Sequence, residues 1–160
     1  MEEMDAAYLS PTKIIDSDHP DLVDLARKTV DGADGFVEQA KRIYLWVRDC
    51  IRYDPYVPFY RPETYQASNV LKMGRGYCVS KASLLCAMGR ALGIPSRVGF
   101  ANVRNHLATR QMLERQGGSN LFVYHGYTDF FLKGKWVKAT PAFNKELCER
   151  HKVAPLDFNG

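Results

Sequence analysis

The sequence contains no apolar run that approaches the ~20 residues of a membrane-spanning helix. Its first five residues, MEEMD, include three acidic ones and lack the basic and apolar regions of a secretory signal peptide. We therefore expect a cytoplasmic protein that does not bind a membrane.

Cysteine is sparse, and its spacing argues against a structural zinc site. The chain has four cysteines, Cys50, Cys78, Cys86 and Cys148, and no pair has CxxC spacing. A disulfide is not required either, because a chain of 160 residues can build its own hydrophobic core.

Clusters of basic residues are also missing. The net charge of +4 is spread along the chain and accompanies no nucleic-acid motif, so we expect no nucleic-acid partner. The hydrophobic share of 46% is typical of a globular protein, and the chain has no repeat, low-complexity segment or linker. We expect a single domain over residues 1–160, with its core at about 20–145.

The order of the predicted elements indicates an α+β fold. Apolar residues at helical spacing predict helices that start at Pro20 and at about residue 35, and Cys50 is expected in the core. Strands are predicted over 96–103, 121–132 and 135–140, with a hairpin turn at Lys133-Gly134. Short helices are expected within 107–115 and 143–150.

Residues 52–66 have a different character, with three prolines and five aromatic side chains. The prolines exclude regular structure over most of this segment. Each ring could simply pack the loop onto the body, but we expect the loop as a whole to border a functional site.

Cys78 is the first candidate for chemistry. It follows a turn with Gly74 and Gly76 and opens an apolar helix that stops at Gly93. The N-terminus of a helix carries partial positive charge, which makes a thiol easier to ionise and hence a better nucleophile. A buried structural cysteine explains this local pattern equally well.

His125 is the candidate base, because it is the one histidine in the middle of a strong strand. His19 and His106 are expected at a helix start and on the surface. Across the predicted hairpin, Thr140 is a diagonal neighbour within side-chain reach of His125. Asp129 is a carboxylate, but it lies ~13 Å along the same strand, too far for a hydrogen bond without a bulge.

Two segments carry a family pattern: one contains Cys78 and the helix that follows it, and the other contains His125. Residues 76–82 read GYCVSKA, residues 90–97 read RALGIPSR, and residues 125–137 read HGYTDFFLKGKWV. They resemble the transglutaminase-like superfamily, whose segments read G-x-C-x-x-x-A, then R-x-x-G-I-P-A-R, then H-x-x-x-E-x-x-x-x-G-x-W. Residues 48–54, RDCIRYD, resemble the element that precedes this core.

The resemblance implies a papain-like cysteine fold in which Cys78 is the nucleophile and His125 the general base. The implied reaction is acyl transfer from an amide of a protein or peptide, through a thioester and without a metal or organic cofactor. The family usually has Asp-Pro after the tryptophan strand, where this chain has Thr140-Pro141. A threonine hydroxyl can orient the imidazole but cannot stabilise an imidazolium by charge, so Asn144 is a second candidate for the orienting group.

The oxyanion of such a reaction would need hydrogen-bond donors. The backbone N–H of Cys78 is the first, and Tyr53, Tyr56, Gln66 and Tyr77 are the candidates for substrate contacts or a second donor.

Three functions are compatible with these residues. Hydrolysis by a cysteine enzyme is favoured over crosslinking. Thr140 instead favours a non-catalytic peptide- or protein-binding module with a degenerate triad, and a third interpretation makes Cys78 and His125 core residues only.

Thiol reactivity separates these interpretations. An activated Cys78 is expected to react with iodoacetamide near neutral pH far faster than Cys50, Cys86 or Cys148, as measured by peptide mapping. Equal rates at all four cysteines would contradict the enzyme interpretation.

Overall fold

The computed structural model describes residues 6–160 and confirms the α+β prediction. The helices are α1 (Pro20–Thr29), α2 (Gly35–Cys50), α3 (Ala67–Met73), α4 (Cys78–Ala91), α5 (Arg110–Arg115) and α6 (Lys145–Arg150). The strands are β1 (Arg52–Tyr53), β2 (Arg75–Gly76), β3 (Ser96–Arg104), β4 (Leu121–Leu132) and β5 (Lys135–Ala139). Short 3-10 helices cover Ala6–Tyr8 and Pro62–Thr64.

Helix α4 lies at the centre of the molecule. Its residues from 80 to 89 are all buried, and all of them except Lys81 are small or apolar, so other elements cover the helix on every side. Helices α1, α2 and α3 contact it, and so do strands β3 and β4. Leu84, Leu85 and Met88 of α4 join Ile43 of α2 and Phe130 of β4 in one hydrophobic core.

The strands form two small sheets, and one of them brings the aromatic loop next to the turn before Cys78. Strands β3, β4 and β5 form an antiparallel sheet with β4 in the middle, and Leu132 pairs with Lys135 across the predicted two-residue turn. Strands β1 and β2 pair in parallel, with Arg52 opposite Arg75 and Tyr53 opposite Gly76. This second pairing brings the start of the aromatic loop beside the turn that leads into Cys78.

The structure differs from the sequence prediction in two local features. Helix α3 was not predicted, because its seven residues are too short to show a clear period. It buries Ala67 and Val70 and ends at Gly74, which has a left-handed φ of 63°. The expectation that Cys50 lies in the core was wrong: it is exposed at the last position of α2.

His19 and His106 lie where the sequence predicts. His19 is the N-cap of α1, where its ring nitrogen accepts a hydrogen bond from the Asp21 N–H, and His106 is exposed. Within residues 6–160, no helix has both the length and the apolar character needed to cross a membrane.

A fully buried lysine joins α4 to the end of α2. The Lys81 ammonium donates to the backbone carbonyls of Arg48, at 2.9 Å, and Ile51, at 2.6 Å. These carbonyls lie at the helix C-terminus, where intrahelical donors run out. Burial lowers the pKa of Lys81 to about 7, although the nearby Asp49 carboxylate opposes this shift.

We predict that Lys81 makes stability depend on pH. Between about pH 7 and the ordinary lysine pKa of about 10.4, the folded state binds fewer protons at this site than the unfolded state. The group therefore adds unfolding free energy as the pH rises through this window. Urea unfolding at a series of pH values should show the wild type gaining stability relative to Lys81→Met. Lys135→Met, at an exposed lysine, is the matched control and should run parallel to the wild type; a Lys81→Met curve parallel to both would contradict the prediction.

Candidate active site

Cys78 is the first residue of α4, two residues after the end of strand β2. Tyr77 is the N-cap residue in an extended conformation, so the cysteine lies in the first helical turn as the glycine-rich turn predicts. The thiol is only 7% exposed and borders a cavity of about 240 Å³. A nucleophile here would be accessible only through that cavity.

His125 lines the same cavity from strand β4. Its neighbour Gly126 packs directly on the first turn of α4, against Val79, the residue after Cys78. The fold thus brings together the two residues that the sequence selects from distant parts of the chain.

Burial dominates the electrostatics of this pair. It raises the pKa of the Cys78 thiol above its ordinary value, while the backbone N–H groups of Gly126, Val79 and Cys78 lower that pKa to a smaller extent. Burial also lowers the pKa of His125. The expectation of an easily ionised thiol is therefore not met in this structure: near neutral pH the pair is a thiol and a neutral imidazole, because both charged forms are poorly solvated.

Thr140 does not line the Cys78 cavity. Thr140 and His125 line a second cavity of about 550 Å³ together with Tyr127, and the β4–β5 ladder ends at the pair Thr128–Ala139, one residue before Thr140. The Thr140 carbonyl accepts a hydrogen bond from the Tyr44 hydroxyl at 3.1 Å. Within residues 6–160 the His125 imidazole has no hydrogen-bond partner, so an orienting role for Thr140 stays a prediction.

The two other candidates for the orienting group are engaged elsewhere. Asp129 is buried and pairs with the Arg97 guanidinium at 3.1 Å, across the β3–β4 ladder. The Asn144 side-chain oxygen accepts a hydrogen bond from the Tyr53 N–H at 3.2 Å.

The aromatic loop borders the site, as expected, but only part of the proposed set does so. Tyr53 and Tyr77 line the Cys78 cavity, together with Pro55 and Phe59 of the loop. Tyr56 and Gln66 do not: the Tyr56 hydroxyl is 3.0 Å from the Thr109 hydroxyl, and the Gln66 amide donates to Asp16 at 3.2 Å. Within residues 6–160, no three His, Cys, Asp or Glu side chains are grouped to hold a metal ion.

Two further features of the site were not found from the sequence. Helix α5 supplies Met112 and Arg115 to the cavity wall, although its polar sequence carries no signal of this role. Strand β4 also bulges just before His125: the pair Ala101–His125 is followed by Val103–Phe122. The bulge holds Tyr124 at a left-handed φ of 57°.

Gly126 is predicted to be essential for the contact between β4 and α4. A Cβ at this position would lie 2.8 Å from the Val79 Cα and 2.9 Å from its Cγ2. In Gly126→Ala, the backbone of β4 or that of α4 therefore has to shift. We expect a loss of about 1–3 kcal/mol in unfolding free energy, measured by urea denaturation.

Gly99→Ala is the matched control on the neighbouring strand. Its Cβ would meet only the end of the Tyr127 side chain, at 2.5 Å, and that ring can move. We expect a cost below about 1 kcal/mol. Equal costs at the two glycines would show that the α4–β4 contact is not rigid.

Similar folds occur in solved bacterial structures. A candidate cysteine protease from Cytophaga hutchinsonii superimposes with a TM-score of 0.68 at 20% identity, covering 88% of this chain and 43% of that one. A candidate protease from Parabacteroides distasonis gives a TM-score of 0.56 at 21% identity, covering 80% of this chain and 24% of that one. The periplasmic domain of TgpA from Pseudomonas aeruginosa gives a TM-score of 0.51 at 17% identity, covering 76% of this chain and 42% of that one.

These similarities concern the fold alone, and the chain spans less than half the length of each of these proteins. A comparison with the curated proteins finds no match. The model of the transglutaminase-like superfamily matches residues 23–141, which is most of the chain and includes both Cys78 and His125. The protein therefore belongs to the transglutaminase-like superfamily.

Proposed function

We propose that this protein is a cysteine-dependent enzyme that acts on amide bonds of a protein or peptide, with hydrolysis favoured over crosslinking. The observation that supports this most directly is the shared cavity that Cys78 and His125 line together. A buried structural cysteine does not require a histidine in the same cavity.

The reaction begins from the neutral pair. The Cys78 sulfur attacks the amide carbonyl carbon while its proton passes to His125, and the carbonyl oxygen becomes an oxyanion. The backbone N–H of Cys78 is a donor for that oxyanion. The C–N bond then breaks, and the amine or ammonia leaves with the proton from His125. Water, deprotonated by His125, hydrolyses the thioester and restores the thiol.

The buried pair suits this order of events. A neutral imidazole can accept a proton at neutral pH, whereas an imidazolium could not. Thr140 is proposed to orient the ring by accepting its N–H when substrate is bound. Without a carboxylate, the imidazolium formed in the reaction is less stabilised than in a triad with aspartate. A cytoplasmic location fits a free nucleophilic thiol, because that compartment keeps cysteines reduced.

A binding module is the second candidate. It is favoured by Thr140 in the place of the family's aspartate and by the absence, within residues 6–160, of a hydrogen-bond partner for His125. Such a module would bind a peptide in the Cys78 cavity without forming a thioester.

The pH dependence of Cys78 alkylation by iodoacetamide distinguishes the two functions. With His125 as base, the rate should rise in a first step below about pH 6.5, where the imidazole loses its proton, and in a second above about pH 8.5, where the thiol ionises. His125→Ala should remove the first step and leave the second.

Peptide mapping reports each cysteine separately, so exposed Cys50 is an internal control. His151→Ala removes an exposed histidine and should leave both steps in place. A profile of Cys78 that does not change in His125→Ala would overturn the enzyme and support the binding module.

A further inference from the structure

An apolar groove adjoins the Cys78 cavity and shares its wall. The groove has a volume of about 690 Å³, and Phe59, Tyr77 and Tyr124 line both spaces. The segment before α1 contributes Ile14 and Ile15, the aromatic loop contributes Tyr60 and Tyr65, and strand β3 contributes Val98 and Phe100. None of the described residues that line it carries a charge.

Contacts between aromatic rings hold the shared wall in place in this structure. The Tyr77 ring meets Phe59 edge-on, with 4.9 Å between centroids, and Tyr65 at 6.0 Å. The Tyr65 hydroxyl also donates to the Phe59 carbonyl at 2.7 Å, which fixes the loop over the ring cluster. A preformed aromatic surface loses little conformational entropy when it binds another apolar group.

Tyr124 separates the groove from the cavity because of the bulge in β4. Val123 and Tyr124 together stand opposite Asn102, and the left-handed backbone of Tyr124 is unfavourable for a residue with a side chain. The Tyr124 ring is 75% exposed, so little of it is buried in the core to compensate for that conformation. Such strain clusters at binding sites.

We propose that this groove binds a large apolar side chain, aromatic or leucine-like, of the polypeptide segment that occupies the Cys78 cavity. This inference rests on the proposed function and names its substrate class. A charged side chain would lose its hydration in the groove without gaining a partner, whereas an aromatic ring would cover exposed apolar surface. A polypeptide fits better than a lipid, since Arg115, Gln116 and His125 make the adjoining cavity partly polar.

The test is protection of Cys78 from iodoacetamide by capped pentapeptides. One series carries a single phenylalanine at successive positions among alanines and glycines, and the matched series carries aspartate at the same positions. The best phenylalanine peptide should slow Cys78 alkylation about tenfold more than its aspartate counterpart. Alkylation of Cys50, which is exposed at the end of α2, should not change. Equal protection by the two series would overturn the proposal.

Phe100→Glu tests the groove directly. Phe100 is 53% exposed, so a glutamate carboxylate at this position would stay in contact with water. The substitution should raise the phenylalanine-peptide concentration needed for protection about tenfold. Leu121→Glu is the matched control: it places the same charge on a 41% exposed apolar residue that does not line the groove, and should leave protection unchanged. Should Phe100→Glu fail to fold, Tyr60→Glu applies the same test at an 81% exposed ring.

Protection does not depend on catalysis, so failures of the two proposals can be told apart. Selective protection combined with a His125-independent pH profile would retain the groove and reject the enzyme. A His125-dependent profile with no selectivity, or selectivity that survives both Phe100→Glu and Tyr60→Glu, would retain the enzyme and reject the groove as the binding site.

Discussion

The first turn of α4 and strand β4 approach so closely at Gly126 that no side chain fits between them. This contact brings Gly126 against Val79, the residue after Cys78, and holds the neighbouring His125 at the Cys78 cavity. The surrounding architecture maintains it from both sides. Three helices pack behind α4, and β4 is held between two strands, so neither partner can withdraw without opening the core.

The burial that stabilises α4 also sets the chemistry of the groups on and around it. Removal from water disfavours every charged form, and it raises the pKa of Cys78 and lowers those of His125 and Lys81. The three groups differ in what compensates for burial: backbone N–H groups at the thiol, and helix-terminal carbonyls at the ammonium. The imidazole has neither within residues 6–160, which leaves it neutral and available as a base.

The bulge at Tyr124 connects the chemical site to its surroundings. A left-handed tyrosine costs on the order of 1–3 kcal/mol, and the β3–β4 ladder on either side of it holds the backbone in place. The bulged residue Tyr124 lines both the Cys78 cavity and the apolar groove. The proposed recognition and the proposed chemistry would thereby share one strand of the sheet.

The α+β order, the helix headed by Cys78, the β4–β5 hairpin and the selection of Cys78 and His125 as candidates follow from the amino-acid sequence alone. Each of these depends on local signals that can be recognised without knowledge of the fold, such as glycines at helix ends, residue periodicity and a two-part motif. Four features depend on packing between distant parts of the chain and could not be predicted: helix α3, the exposure of Cys50, the burial of Lys81 and the bulge at Tyr124. The raised pKa of Cys78 belongs with them: a helix N-terminus predicts a lower value, but desolvation depends on which other elements cover the thiol, and no local pattern contains that information.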